Sequence, residues 1–257
     1  KIMEIVVVPC LYDNYSYLII NGKEAAVVDP SEAWPVMKVA AEKGLTLVAA
    51  LCTHHHHDHI GGLPDLLDEY KDIEIYGFHQ DQKRIPLMTR PVEDEARFSV
   101  CGLDVDVIHT PGHTSTHIVF KVEDHLFVGD TLFGGGCGRL FEGTAEQMVH
   151  SLDRILQCGK QSRIFFGHEY TEFNLRFAAQ VDPVNPAIDE RIASVRKMRK
   201  ADQPSTPSTL EEELATNPFL RIEDGSIIDQ LEREHNLGST DRVTVFAALR
   251  EQRNNFS

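Results

Sequence analysis

The stretch Thr53-His54-His55-His56-His57-Asp58-His59 places five histidines and one carboxylate within seven residues. It follows the apolar run 47–52 and precedes Gly61-Gly62 and a segment with helical character. Imidazole and carboxylate groups are ligands that zinc, iron and manganese accept. In an extended segment His54 and His56 project to one side, whereas His55 and His57 project away from it. The stretch therefore predicts a metal site at the end of a strand, with Asp58 and His59 beyond the turn reaching a second ion.

Composition excludes several classes of protein. At 257 residues, of which 42% are hydrophobic, the chain is long enough for one large domain or a domain with an appendage, and it is not disordered. The formal net charge of −15 argues against a nucleic-acid partner, which needs a broad basic face. No run of about 18 apolar residues occurs, so we expect no membrane association.

The five cysteines are odd in number and scattered, with no CxxC pair: Cys10, Cys52, Cys101, Cys137 and Cys158. A disulfide framework is therefore not expected, and a reducing compartment is. The cytoplasm is the predicted location, with the mitochondrial matrix as the alternative. Because the chain begins at Lys1 rather than at a methionine, earlier removal of a targeting segment stays open. The expected oligomeric state is a monomer.

Strand and helix patterns interleave up to about residue 170. Runs rich in Val, Ile and aromatic residues predict strands over 2–8, 15–20, 25–28, 47–52, 73–78, 98–101, 105–109, 117–122, 125–128 and 164–166. Helices are predicted over 34–43, ending before Gly44, then up to about Tyr70, and over 148–156 after the capping-box spacing of Thr144 and Gln147. This interleaving predicts an α/β (α+β) fold with sheets inside and helices outside.

Beyond about residue 170 the pattern becomes helical. Helices are predicted over 187–200, 227–237 and 242–253, and the Pro/Ser/Thr stretch 204–209 is interpreted as a linker or turn. No strand pattern occurs in this region. We therefore predict a catalytic domain over 1–171 and an all-helical domain over 172–257.

Three later segments repeat one pattern, in which a small residue and then a ligand-type residue follow an apolar strand: Pro111-Gly112-His113, Val128-Gly129-Asp130 and Phe166-Gly167-His168. Loops at strand ends are where a rigid scaffold presents chemistry. A histidine tag or a surface histidine tract would not require these segments, whereas a single Gly-His or Gly-Asp is an ordinary turn. Seven candidate ligands are too many for one tetrahedral zinc and suit two ions that share a carboxylate. They are His54, His56, Asp58, His59, His113, Asp130 and His168.

The pattern T-H-x-H-x-D-H, followed by G-H, G-D and G-H at strand ends, resembles the metallo-β-lactamase superfamily. The resemblance implies an αββα sandwich and two divalent ions, zinc with iron or manganese as alternatives. One ion would be held by His54, His56 and His113, the other by Asp58, His59 and His168, with Asp130 bridging. A metal-bridging hydroxide would be the nucleophile, with Asp58 and Asp130 as the catalytic carboxylates. Asp29 would orient a ligand; a turn-capping aspartate is the alternative.

Three other segments concern the substrate: Gly136-Cys137-Gly138-Arg139-Leu140-Phe141-Glu142-Gly143-Thr144, Gly167-His168-Glu169-Tyr170-Thr171, and residues 204–220. Arg250 and Arg253 lie three residues apart on a predicted helix and share one face. Two cations on one face indicate a clamp for carboxylates, although cations near a helix C-terminus also complement its dipole.

Together these segments resemble the glyoxalase II (hydroxyacylglutathione hydrolase) family. The resemblance implies that glutathione is held by Arg139, Leu140, Phe141, Tyr170, Arg250 and Arg253. Phe141 stands where some members have tyrosine, Arg139 where others have lysine, and Thr116 where glycine is frequent. The first change removes a hydroxyl contact, and the second keeps the charge but alters its geometry.

The implied activity is hydrolysis of S-D-lactoylglutathione and other S-2-hydroxyacylglutathiones to D-lactate or the corresponding acid and glutathione, the second step of methylglyoxal detoxification. The alternatives are another hydrolase of the metallo-β-lactamase fold, a persulfide dioxygenase, and a metal-binding or redox-sensing protein without turnover. Because HExxH is absent, a helix-borne zincin site is not expected.

Overall fold

The computed structural model describes residues 3–257, which form two compact units. The first unit comprises the described residues up to His109 together with Thr116–Gly129 and Phe165–His168. The second comprises Thr110–Ser115, Asp130–Ile164 and Glu169–Ser257. The predicted first strand begins at Ile2, which lies outside the described residues.

The first unit contains a six-stranded sheet whose spatial order follows the chain. Its strands are β1 (Glu4–Cys10), β2 (Asn14–Asn21), β3 (Glu24–Val28), β4 (Thr46–Leu51), β5 (Glu74–Phe78) and β6 (Arg90–Val92). Strands β1 to β3 pair antiparallel, and β3 to β6 pair parallel. The helices of this unit are α1 (Ala33–Lys43), α2 (His57–Ile60) and α3 (Leu63–Glu69). Gly44 ends α1 in the left-handed region at φ 64°, as its position predicts.

A second, antiparallel sheet of the first unit contains β7 (Arg97–Val100), β8 (Leu103–His109), β9 (Ile118–Val122) and β10 (His125–Gly129). Alternation along β2 explains how the first sheet is buried on both faces. Tyr17 and Ile19 pack with Phe120 and Phe127 of the second sheet. Leu18 and Ile20 instead belong to the core that includes Val36 and Leu66 of the helices. The period of two in a strand thus sends successive side chains into two different cores.

The second unit is mainly helical. Its helices are α4 (Ala145–Leu156), α5 (Thr171–Val181), α6 (Pro186–Lys200), α7 (Leu210–Thr216), α8 (Gly225–His235) and α9 (Arg242–Asn254). The predicted capping box at the start of α4 is present, with Thr144 Oγ1 accepting from the amide of Gln147 at 3.2 Å. A short hairpin joins β11 (Leu132–Phe133) to β12 (Gly136–Cys137).

The expectation of a C-terminal region without strands is wrong at one point. Ser208–Thr209 form β14, which pairs antiparallel with Arg163 and Ile164 of β13 (Arg163–Phe166). Two residues are too few to show the alternation of apolar and polar side chains that identifies a strand. The sequence therefore predicted a linker or turn here. The remaining predictions of strand and helix are confirmed with ends shifted by a few residues, and α5, α7, β6, β11 and β12 have no counterpart among the predicted elements. Within residues 3–257, none of the helices has the length and apolar character needed to cross a membrane.

Candidate active site

The histidine stretch lies where β4 ends and α2 begins. His54 and His59 are buried, with exposed fractions of 1% and 0%. His57 is exposed, and His55 is half-buried with its Nδ1 atom 3.7 Å from Asp81 Oδ2. The stretch therefore divides into residues enclosed by the first unit and residues near its surface.

Asp29 organises one side of this cluster. Its carboxylate accepts from the Thr53 amide and the Thr53 hydroxyl, each at 2.7 Å, and from His59 Nδ1 at 3.0 Å. Because the Thr53 hydroxyl already donates its proton to Asp29, its oxygen is left to accept from His54 Nδ1 at 3.0 Å. Both imidazoles thus carry their proton on Nδ1, which leaves the Nε2 lone pair as the ligand atom. Asp29 itself has a φ of 47°, a conformation uncommon for a non-glycine residue.

Asp58 and His168 form a second group within the first unit. His168 Nδ1 donates to Asp13 Oδ1 at 2.9 Å, and its Nε2 atom lies 3.3 Å from Asp58 Oδ2. His59 Nε2 lies 3.5 Å from the same Asp58 oxygen, and Asn14 Nδ2 donates to it at 3.0 Å. Ligand atoms of Asp58, His59 and His168 all lie within 4.8 Å of one another. This is the spacing of donors around one ion.

His54 and His56 face each other, with Nε2 of the first 3.2 Å from Nδ1 of the second. The His54 ring also stacks on the buried ring of His117, with centroids 4.8 Å apart. Stacking and the Thr53 contact fix the plane of His54, so its Nε2 atom points in a single direction.

The second unit holds a matching arrangement at His113. Its Nδ1 atom donates to the carbonyl oxygen of Arg139 at 2.8 Å, and its Nε2 atom lies 3.4 Å from Asp130 Oδ2. His113 and Asp130 are each 5% exposed. Here again the Nδ1 proton is held by an oxygen acceptor. The Nε2 lone pair is therefore left to bind a metal, and it lies beside a carboxylate.

These donor sets fit divalent ions. Neutral imidazoles with anchored Nδ1 protons, paired with a carboxylate, are the ligand chemistry of zinc, iron and manganese sites. Sequence reasoning did not identify the residues that anchor the ligands from outside, namely Asp13, Asn14 and Thr53. Their only sequence signal is a position at or beside a strand end, which many structural residues share.

Arg250 and Arg253 of α9 share a face of the second unit, as their spacing predicts. Arg250 is 6% exposed, and its Nη1 atom donates to the carbonyl oxygen of Cys137 at 2.5 Å. Arg253 is half-buried and donates from Nε and Nη2 to Asn174 Oδ1 at 3.1 and 3.0 Å. Their guanidinium groups lie over aromatic rings, Arg250 over Phe219 at 5.2 Å and Arg253 over Phe173 at 4.4 Å.

The other predicted glutathione contacts also belong to the second unit. Arg139 is exposed, and its guanidinium lies 5.9 Å from the ring of Phe141, which is 60% exposed. Leu140 is half-buried, and the Tyr170 ring packs edge-on against Phe133 with centroids 5.2 Å apart.

Electrostatics link three of these residues. Burial, followed by the charge of Arg250 and then that of Arg139, lowers the pKa of Arg253 to about 10. A guanidinium with this pKa is still charged at neutral pH, and its neighbours repel it. An anion bound among the three cations would relieve that repulsion.

Two family models match the chain in succession. Residues 11–168 match the metallo-beta-lactamase superfamily, and residues 169–256 match the hydroxyacylglutathione hydrolase C-terminus. The hydroxyacylglutathione hydrolase of Synechococcus sp. (strain JA-2-3B'a(2-13)) is 45% identical, over 99% of this chain and 100% of that protein. That of Xanthomonas campestris pv. campestris (strain B100) is 42% identical over 99% of both. The chain belongs to the hydroxyacylglutathione hydrolase family.

Membership of this family confirms the predicted glyoxalase II function and the predicted thiolester hydrolase activity, and the alternatives are not favoured. Among solved structures, ETHE1 from Myxococcus xanthus has a TM-score of 0.66 and is 24% identical, with all of both chains covered. At this identity the likeness concerns the fold alone. This likeness and the family-model match over residues 11–168 confirm the metallo-β-lactamase fold. The superfamily match and the groups of histidine and aspartate side chains together imply divalent metal binding.

Proposed function

We propose that this member of the hydroxyacylglutathione hydrolase family hydrolyses S-D-lactoylglutathione, and other S-2-hydroxyacylglutathiones, to D-lactate or the corresponding acid and glutathione. The observation that carries the proposal is the pair Arg250 and Arg253. Both guanidinium groups bond neutral oxygens, those of Cys137 and Asn174. Their charge is therefore not cancelled by a carboxylate of the protein and is available to a ligand that carries carboxylates.

Three other arginines of the second unit behave differently. Arg191 donates to Glu213, Arg221 to Asp182, and Arg242 to Asp153. In a chain with a net charge of −15, pairing with a carboxylate is the expected arrangement. The departure at Arg250 and Arg253 supports a site for an anionic substrate, with Arg139 as the third cation and Phe141 and Tyr170 beside it. Glutathione has two carboxylates, which are suitable partners for these positive charges.

We assign the metal ligands as two sets that share Asp130. The first is His54, His56 and His113, and the second is Asp58, His59 and His168, for two ions per chain, with zinc, iron and manganese all compatible with these donors. Divalent ions at such a site supply Lewis acidity, which polarises a carbonyl oxygen and lowers the pKa of water into the neutral range. The oxygens of Asp29, Asp13 and the Arg139 carbonyl hold the Nδ1 protons of His59, His168 and His113.

The role of the remaining residues follows from their contacts. Asn14 orients the Asp58 carboxylate, and the Asp29–Thr53 pair orients His54 and His59. The arginines hold the glutathione portion of the substrate through its carboxylates. The leaving thiol has a pKa of about 8.5, so its departure as a thiolate does not require a protein acid.

Domain division, oligomeric state and compartment are also part of the proposal. We divide the chain into a catalytic domain over 1–171 and a glutathione-binding domain over 172–257, and we assign a monomeric state. Five free cysteines favour a reducing compartment, for which we propose the cytoplasm.

One assay tests the activity. Metal-loaded protein is mixed with S-D-lactoylglutathione, the loss of thioester absorbance is followed, and metal per chain is determined on the same sample. We expect turnover and two equivalents of divalent metal. A lactoyl thioester of a short thiol serves as the matched substrate; because it lacks both carboxylates, its kcat/KM should be about 100-fold lower. Absence of turnover with both substrates would refute the proposal.

A further inference from the structure

The hairpin between β11 and β12, which we term the glycine loop (Phe133–Cys137), is held by buried side chains from the helices of the second unit. Asn217 Nδ2 donates to the Gly136 carbonyl oxygen at 3.0 Å and lies 3.3 Å from that of Phe133. Asn174 Nδ2 donates to the Gly134 carbonyl oxygen at 3.1 Å, and Glu213 Oε2 accepts from the Gly135 amide at 2.8 Å. Exposed fractions are 3% for Asn174 and 0% for Glu213 and Asn217.

Two positions of the loop, Gly135 and Gly136, accept only glycine without strain or a steric clash. Gly135 has a φ of 68°, and a Cβ atom on Gly136 would lie 2.6 Å from the amide group of Asn174. Glycine at these positions lets the backbone approach its anchors closely. A larger side chain at Gly135 or Gly136 would therefore disturb the contacts that anchor the loop.

The glycine loop is also linked by hydrogen bonds to Arg250 and Arg253 of α9. Its last carbonyl, that of Cys137, accepts from Arg250 Nη1. Asn174 uses its amide nitrogen for Gly134 and its oxygen for Arg253, so it links the loop to the second guanidinium. A displacement of the loop would displace the two acceptors that orient these cations.

The Glu213 carboxylate connects the glycine loop to Arg191 of α6. Its Oε1 atom accepts from Arg191 Nη2 at 2.5 Å, while Oε2 accepts from the Gly135 amide and from Asn217 Nδ2 at 3.1 Å. Each of its oxygens thus has a donor, and no water is needed to satisfy the carboxylate. Arg191 in turn donates to the Thr216 hydroxyl at 2.7 Å, which ties α6 to α7.

We propose that Glu213 is a positioning residue for substrate binding, which acts by fixing the glycine loop that orients Arg250 and Arg253. The inference rests on the proposed function, since it assumes that these arginines hold the glutathione portion. Glu213 does not touch the substrate; its effect passes through the Gly135 amide, the Cys137 carbonyl and Asn174. It should therefore affect the binding of any ligand that contains glutathione and should affect the chemical step little.

The test compares Glu213→Gln with Glu212→Gln. A glutamine at 213 has one acceptor oxygen where the loop and Arg191 require two, so an NH2 group must face either a donor of the loop or the guanidinium. Glu212 is the matched control, because its Oε2 atom lies 3.5 Å from the same Arg191 Nη2 atom and its side chain is 47% exposed. The measurements are KM and kcat with S-D-lactoylglutathione, the Kd of S-methylglutathione by calorimetry, and metal per chain.

For Glu213→Gln we expect KM and the Kd of S-methylglutathione to rise about tenfold, with kcat within about threefold and metal content unchanged. Glu212→Gln should match the parent in all four. Unchanged KM and Kd in folded Glu213→Gln would overturn the inference, as would equal effects of the two variants. If Glu213→Gln does not fold, Glu213→Asp keeps the charge beside Arg191 but withdraws it from Gly135, and the same rise in Kd is then required of it.

Failure of the proposed function has a different signature. A parent enzyme that binds S-methylglutathione but does not turn over the thioester would refute the activity, while the Kd values of the variants would still decide the role of Glu213. A parent that turns over the thioester with an unaltered Glu213→Gln variant would refute the positioning role alone.

Discussion

The histidine cluster of the first unit and the arginine cluster of the second are anchored in opposite ways. Two buried histidines give their Nδ1 protons to carboxylates, His59 to Asp29 and His168 to Asp13. Arg250 and Arg253 instead bond neutral oxygens. An anionic partner makes an imidazole a better metal donor, whereas an anionic partner would cancel the charge of a substrate-binding arginine. The partner of each side chain thus indicates whether the protein uses its lone pair or its charge.

The largest expected effect tests the histidine side of this comparison. Asp58→Ala removes the carboxylate shared by His59 and His168, so we expect loss of one metal equivalent per chain and a fall in kcat on the order of 10³-fold. Metal analysis and steady-state kinetics measure both. The exposed neighbour His57→Ala is the control and should retain both equivalents. Two equivalents in Asp58→Ala would mean that this carboxylate is not a ligand.

The arginine side is tested by neutralising both cations. Arg250→Met with Arg253→Met keeps the apolar stems over Phe219 and Phe173 but removes the charges. We expect KM for S-D-lactoylglutathione to rise about 100-fold, with a much smaller change in kcat, because the lost contacts serve the ground state and transition state equally. An unchanged KM would exclude a carboxylate clamp at these positions.

A third prediction concerns Asp29, which accepts the Nδ1 proton of a proposed ligand but is not itself a proposed ligand. Asp29→Asn retains the shape but leaves a single acceptor oxygen for Thr53 and His59. Loss of such a partner lowers metal affinity about 10–100-fold, which competition with a chelator of known affinity will measure. Asp81→Asn, a change beside His55 rather than beside a proposed ligand, provides the reference. Equal metal affinity in Asp29→Asn and the parent would show that Asp29 only shapes its turn.

The smallest effect concerns an arginine that pairs with a carboxylate. Arg242 donates to both oxygens of Asp153 at 2.7 and 2.8 Å on a half-exposed surface. Arg242→Met should leave KM unchanged and lower the free energy of unfolding by less than about 1 kcal/mol, as measured by denaturant titration. A rise in KM comparable to that of the Arg250 and Arg253 variant would contradict the distinction between the two kinds of arginine.

Local sequence patterns predicted much of the secondary structure and the positions of the candidate ligands. The strand alternation around His54 and His56, the Gly44 helix end and the Thr144 capping box depend on neighbours in sequence, and backbone geometry translates them directly into structure. The two-residue strand β14 escaped notice because it has no periodicity of its own. The i, i+3 spacing of Arg250 and Arg253 predicted a shared face, but nothing near them in sequence told which oxygens they would meet.

The sequence by itself determined the family, the ligand types and the positions at strand ends, because strand period, glycine turns and residue chemistry act over a few residues. Only the tertiary structure decided the partners. His168 meets Asp13 across 155 residues of chain, and Arg250 meets the Cys137 carbonyl across 113. Such pairings depend on how whole elements pack, which no short pattern encodes. They nevertheless determine whether an imidazole presents Nε2 and whether a guanidinium keeps its charge for a ligand.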